Sequence, residues 1–78
     1  MRRKEMRLVV AFHTTDAAMA AERRCKAAGL PGKLITVPRS ITSDCGIAWS
    51  APITDADTTR ALLDRGYIEV AGYYELLL

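Results

Sequence analysis

The sequence predicts a small α+β domain in which two helices lie against one antiparallel sheet. Three observations carry this prediction. Four short apolar or β-branched segments alternate with two helix-forming segments in the order βαββαβ. Each helical segment starts beside residues that can cap it and stops at a glycine. No linker, internal repeat or low-complexity stretch interrupts the 78 residues, so one domain spans 1–78.

The first strand is expected over 7–12, where Leu8, Val9, Val10 and Phe12 supply apolar and β-branched side chains. Residues 1–6 precede it as a frayed N-terminus. Thr14, Thr15 and Asp16 offer capping oxygens ahead of an Ala-rich run, which predicts a helix over 17–28. Ala18, Ala21, Cys25 and Ala28 recur at spacings of three and four and form its inner face. Gly29 is the natural stop, and Pro31 follows where a helix cannot continue. A second strand is expected over 33–37, ended by Pro38. Residues 38–44 are polar and turn-forming and read as a loop. A third strand over 46–50 contains Trp49, and Pro52 closes it. Thr54 or Asp55 caps a second helix over 55–65, with Ala56, Leu62 and Leu63 as its apolar contacts and Gly66 at its end. The last strand is expected over 67–74, with Ile68, Val70, Gly72 and Tyr74 on one face and Tyr67, Glu69, Ala71 and Tyr73 on the other.

This order matches the ferredoxin-like split βαβ unit: a four-stranded antiparallel sheet with both helices on one face. The right-handed crossover rule fixes its hand. A chain of this length buries only about 60% of its unfolded surface, so its stability margin is thin. Half of the residues are hydrophobic, and much of that content is alanine, which favours close packing of helix on sheet.

Composition excludes several classes of function. The formal net charge is +2. Arg2, Arg3, Lys4 and Arg7 crowd the N-terminus, but no aromatic residues interleave with a basic stripe as a single-strand nucleic-acid binder needs. The expectation is therefore no nucleic-acid partner. The apolar run 8–12 is too short for a secretory signal, and no stretch approaches the ~18–20 apolar residues of a membrane helix, so the expected location is the cytoplasm, with no membrane partner. Two cysteines and one histidine cannot supply the four protein ligands of a structural zinc site. Two cysteines in a short intracellular chain are not a disulfide framework either. No metal or cofactor is expected.

The topology predicts which residues are neighbours. If the first strand runs upward, the top edge gathers His13, the start of the first helix, the 38–45 connection and the end of the second helix. Cys45 then falls near the N-terminus of the first helix, whose unpaired N–H groups and partial positive charge favour a thiolate. Arg39, in the same loop, and His13, when protonated, add positive charge. Gly46 gives the backbone room for a second group to approach the sulfur. Asp44 opposes these effects, since an adjacent carboxylate disfavours thiolate formation. Cys25, two to three turns into the first helix on its apolar face, reads as a small buried hydrophobe. Trp49 and the tyrosines read as core and sheet-face residues, and Asp55 and Asp57 as helix-N-terminal charges. With no Asn or Gln in the chain, the usual side-chain amides of an oxyanion hole are missing.

Three pieces of sequence carry a family resemblance. They are the run Phe12, His13, Thr14, Thr15, Asp16, Ala17, Ala18; the pair Pro38, Arg39 after an apolar strand; and Ser43, Asp44, Cys45, Gly46, Ile47, Ala48. Over roughly 7–74 the chain resembles the selenium/sulfur carrier protein-like domain family, a group of small bacterial domains. The resemblance implies that the cysteine of the Cys-Gly pair, here Cys45, bears a persulfide or perselenide. Its implied partners are a cysteine desulfurase or another sulfur or selenium donor protein, and an acceptor protein. Asp44 departs from the small hydroxyl residue more usual at that position. Carriage of this kind needs an accessible thiolate and a suitable leaving group, with no metal, base or substrate pocket. It makes the chain a carrier more than a turnover enzyme.

Two other readings compete. A regulatory or protein-interaction module would form a homodimer through its sheet, using Tyr67, Tyr73, Trp49 and residues 76–78 as apolar contact area. A small hydrolase on the same fold, of the acylphosphatase kind, would need a phosphate-cradling loop and an asparagine that this chain lacks.

Overall fold

The computed structural model describes residues 4–41 and 45–78. It contains β1 (Met6–Ala11), α1 (Thr15–Ala27), β2 (Lys33–Thr36), β3 (Ile47–Pro52), a single 3₁₀ turn (Ile53–Asp55), α2 (Ala56–Arg65) and β4 (Gly72–Leu77). The strands form one antiparallel sheet in the order β2-β3-β1-β4. This is the α+β ferredoxin-like arrangement expected from the segment order.

β1, one of the two inner strands with β3, carries the longest fully apolar run: Leu8, Val9, Val10, Ala11 and the following Phe12 are all completely buried. A strand covered on both faces reads as continuous rather than alternating hydrophobicity. On one face Leu8, Val10, Phe12, Trp49 and Ala51 pack against Ala18, Ala21 and Cys25 of α1 and Leu63 of α2. On the other face Val9, Ala11 and Ala48 pack with Ile41. The face without helices is thus partly covered by a residue from the connection between β2 and β3.

Both helices end in the same motif. Gly29 N–H donates to Lys26 C=O at 3.1 Å and Leu30 N–H to Cys25 C=O at 2.9 Å. At the end of α2, Tyr67 N–H donates to Asp64 C=O and Ile68 N–H to Leu63 C=O, each at 3.1 Å. These are paired 5→2 and 6→1 bonds that need a left-handed residue just beyond the helix. Gly29 takes that conformation without strain at φ 73°, whereas Tyr67 takes it at φ 54°.

Three expectations are corrected. The last strand covers Gly72–Leu77, not 67–74. Residues 67–71 instead carry the chain from α2 down to the sheet edge, and Tyr67, expected on a sheet face, is 96% exposed. The leucines at 76 and 77, beyond the expected end of the last strand at 74, belong to β4. At the other end, Met6 lies in β1, and Glu5 N–H donates to Leu78 C=O at 2.8 Å, with Leu78 N–H donating back at 2.9 Å. Those two residues, expected in the frayed segment, are held by β4.

Trp49 is fully buried on the helix side of the sheet, as expected of a core residue. Gly32 makes this burial feasible. A Cβ placed on Gly32 would lie 2.5 Å from the indole and 2.8 Å from the Ser50 carbonyl oxygen. The chain enters β2 with no side chain at the position where the tryptophan ring passes.

Candidate functional site

The upper edge of the sheet is assembled from the end of β1, the start of α1 and the β2–β3 connection, as the topology requires. β1 stops after Phe12, and His13 follows as an exposed residue. Thr14 caps α1: its Oγ1 accepts from Ala17 N–H at 3.1 Å. This satisfies one of the amides that a helix N-terminus leaves unpaired. The neighbouring amides of Thr15 and Asp16 fall outside the helix's own ladder.

β2 and β3 run antiparallel from Lys33↔Ser50 up to Thr36↔Ile47. One further bond, Val37 N–H to Gly46 C=O at 3.0 Å, extends the pairing into the connection. That connection is tighter than a polar loop. Ile41 N–H donates to Pro38 C=O at 3.0 Å, which closes a turn with Arg39 exposed in it. Ile41 itself is buried against Val9, Ala11 and Ala48. Burying one such aliphatic side chain stabilises by roughly 1.5–3 kcal/mol, so Ile41 anchors the connection to the sheet.

Cys45 emerges from this connection just before β3. It is half-buried and packs against the apolar cluster to which Ala17 and Ala18 of α1 also belong. Its Sγ donates a hydrogen bond to the Ile47 carbonyl at 3.3 Å. The residue between them, Gly46, sits at φ 74°, which bends the chain so that a carbonyl two residues on faces the sulfur. A Cβ on Gly46 would meet none of the described atoms beyond its chain neighbours within 4 Å, so packing within the chain does not require glycine there. Glycine is needed for the left-handed backbone.

The structure therefore brings Cys45, Gly46 and the first turn of α1 to one edge, with His13 beside that turn in the chain and Arg39 exposed on the adjoining turn. Asp44 and Ser43 lie outside the described residues. A carbonyl oxygen only accepts, so a sulfur acting as a nucleophile must turn from the Ile47 oxygen.

Cys25 differs in every respect. It is fully buried on the inner face of α1, and burial pushes its thiol above the ordinary value near 9.0. Neither cysteine is joined in a disulfide. Among the described residues no cluster of His, Cys, Asp or Glu could hold a metal ion, and no helix is long and apolar enough to cross a membrane.

Reading the sequence missed Ile41 and the Ile47 carbonyl. The first had a signal, since it is the one large apolar side chain between Pro38 and Asp44. The second had none, because a backbone acceptor is invisible until the turn at Gly46 is known.

A family model described as "Putative Se/S carrier protein-like" matches residues 7–75. No curated protein and no solved structure matches the chain.

Proposed function

The chain belongs to the Se/S carrier protein-like family, and from that premise we propose that it carries sulfur or selenium on Cys45. The observation that carries this reading is the asymmetry between the two thiols. Cys25 is sealed in the core, whereas Cys45 stands half-buried at the sheet edge, next to a glycine turn and on the same cluster as the first turn of α1.

Loading proceeds by thiol exchange. The Cys45 S–H leaves the Ile47 carbonyl and gives its proton to solvent. The thiolate attacks the terminal sulfur of a donor persulfide, of the kind a cysteine desulfurase holds. A new S–S bond forms on Cys45 as the donor's S–S bond breaks, and the donor cysteine departs as a thiolate. No net oxidation or reduction occurs. Unloading repeats the exchange, with an acceptor's nucleophile attacking the terminal sulfur and Cys45 as the leaving group. A selenium atom follows the same path as a perselenide. Arg39, the outer amides of α1 and, when protonated, His13 supply positive potential at this edge and favour the anion in both steps.

The test is mass spectrometry of the intact chain after incubation with a cysteine desulfurase and cysteine, or with a selenium donor. The expected result is a gain of one sulfur or selenium mapped to Cys45, lost in Cys45→Ser and kept in Cys25→Ala. Absence of any adduct on a Cys45 that remains open to alkylation would sink the reading.

A further inference from the structure

The two edges of the sheet are built differently. β2 has four residues, is bracketed by Pro31 and Pro38, and opens on Lys33. Short length, proline and lysine are the devices by which an edge strand avoids pairing with another chain. β4, the opposite edge, has none of them. Its six residues hold no proline and no lysine, and its one charged side chain, Glu75, is engaged by Arg60 of α2 at 3.7 Å.

The backbone of β4 can be followed bond by bond. Glu5 and Leu78 exchange two hydrogen bonds. Bonded and non-bonded pairs alternate along an antiparallel ladder. The register therefore makes Arg7·Leu76 and Val9·Tyr74 bonded pairs, and Met6·Leu77, Leu8·Glu75 and Val10·Tyr73 non-bonded pairs. The N–H and C=O groups of Tyr73, Glu75 and Leu77 thus point away from β1, and no described strand lies beyond them. On the same strand Tyr74 and Leu77 are exposed by 37% and 57%.

We infer that β4 pairs antiparallel with β4 of a second copy of this chain, joining the two sheets about a two-fold axis. A second copy fits because an antiparallel strand set against itself brings identical outward groups into mutual reach. Charge selects the register. With Tyr74 on the axis, Glu75 of one copy faces Tyr73 of the other, whose ring already carries the Arg60 guanidinium 5.1 Å from its centre. Each carboxylate then lies near the other copy's Arg60 as well as its own. Moving the register by one bonded pair would set Glu75 against Glu75, which like-charge repulsion disfavours. Tyr74 meets its counterpart on the face away from the helices, and Leu77 lies at the end of the contact. A ladder over 72–76 of each copy, about 17 Å long, is small for a stable interface, so dissociation on the order of micromolar is expected. This inference is independent of what Cys45 carries.

Sedimentation equilibrium of the full chain, from well below to well above micromolar concentration, is the test. The unsubstituted chain is expected to dimerise. Tyr74→Lys sets two charges on the axis and should raise the dissociation constant tenfold or more. Glu75→Pro removes an outward N–H that meets Tyr73 of the other copy, leaves the β1–β4 bonds in place and should do the same, which keeps the test decisive if Tyr74→Lys fails to fold by circular dichroism. Thr36→Lys, on the β2 edge, should change nothing. A chain that stays monomeric throughout, a dimer unaffected by both β4 substitutions, or equal loss with Thr36→Lys would overturn the inference.

Discussion

Cys25 sits on the inner face of α1 with no exposure, among Ala18, Ala21, Leu8 and Trp49, while Cys45 sits half-buried at the mouth of β3 with its Sγ on a backbone carbonyl. The side chain is the same, and only the element beneath it differs. A helix face facing the sheet removes a thiol from solvent and makes it a packing atom. A turn pinned by Ile41 and bent at Gly46 keeps a thiol at the surface in a defined position. The contrast teaches that the placement of a cysteine in this fold, and not its chemistry, separates a sealed sulfur from an accessible one.

The largest effect that could break this comparison is differential alkylation. In the native protein iodoacetamide should modify Cys45 at least about a thousandfold faster than Cys25, because Cys25 reacts only through open states populated at about 10⁻³ or less. Peptide mapping over a time course measures the ratio, and comparable rates would refute the assignment of Cys25 to the closed core.

Stability comes next. Cys25→Ser buries a hydroxyl among apolar neighbours and should cost about 1–3 kcal/mol in urea unfolding. Cys45→Ser, at a partly solvated site, should cost less than about 1 kcal/mol. A reversed order would mean that Cys45 is the structural sulfur.

Gly46→Ala sharpens the comparison from the other side. It meets no steric obstacle, yet it forces a side chain into the left-handed region at about 1–2 kcal/mol. The expected outcome is slower chalcogen loading of Cys45 with unchanged protection of Cys25. Equal rates in Gly46→Ala and the native chain would show that the turn does not position the sulfur.

The smallest effect is at alkaline pH. Burial raises the Cys25 thiol above its ordinary value near 9.0. The folded state therefore holds that proton more tightly than the unfolded state. Its contribution to stability is complete below about pH 9.0 and is lost as pH rises through the folded value. Tyr73, raised above 10.0 chiefly by burial and then by Asp64, against an opposing effect of Arg60, adds loss in the same direction at higher pH. Urea midpoints measured from pH 7 upward, a range set by the ordinary thiol and phenol values, should fall less steeply in Cys25→Ala than in Cys45→Ser.

Much of the fold was legible because local chemistry and global order agree. Thr14 accepts from Ala17, Gly29 is left-handed after α1, and the Ala18–Ala21–Cys25 spacing points inward as periodicity requires. β4 was misplaced because residues 67–74 alternate like a strand. The chain must first leave α2 and descend to the sheet, and the bonds that stop the helix place Tyr67 in a left-handed conformation more usual for glycine. At the candidate site, Cys45 and Gly46 could be singled out from the residues and the family resemblance. The Ile47 acceptor could not, since it depends on the turn at Gly46, and Ile41 showed only as a large apolar side chain whose partners across the sheet the sequence does not name.

Sequence by itself determined the βαββαβ order, the antiparallel sheet, the burial of Cys25 and the place of Cys45 between β2 and β3. Each follows from periodicity, capping and topology, which act over a few residues or through the known handedness of a crossover. Only the tertiary structure decided that Ile41 closes the face without helices, that Gly32 yields to Trp49, that Gly46 turns a carbonyl onto the Cys45 sulfur, and that β4 ends the sheet with its outer backbone groups unpaired. Those outcomes are set by which side chains meet across strands far apart in the chain, and no local pattern encodes a meeting of that kind.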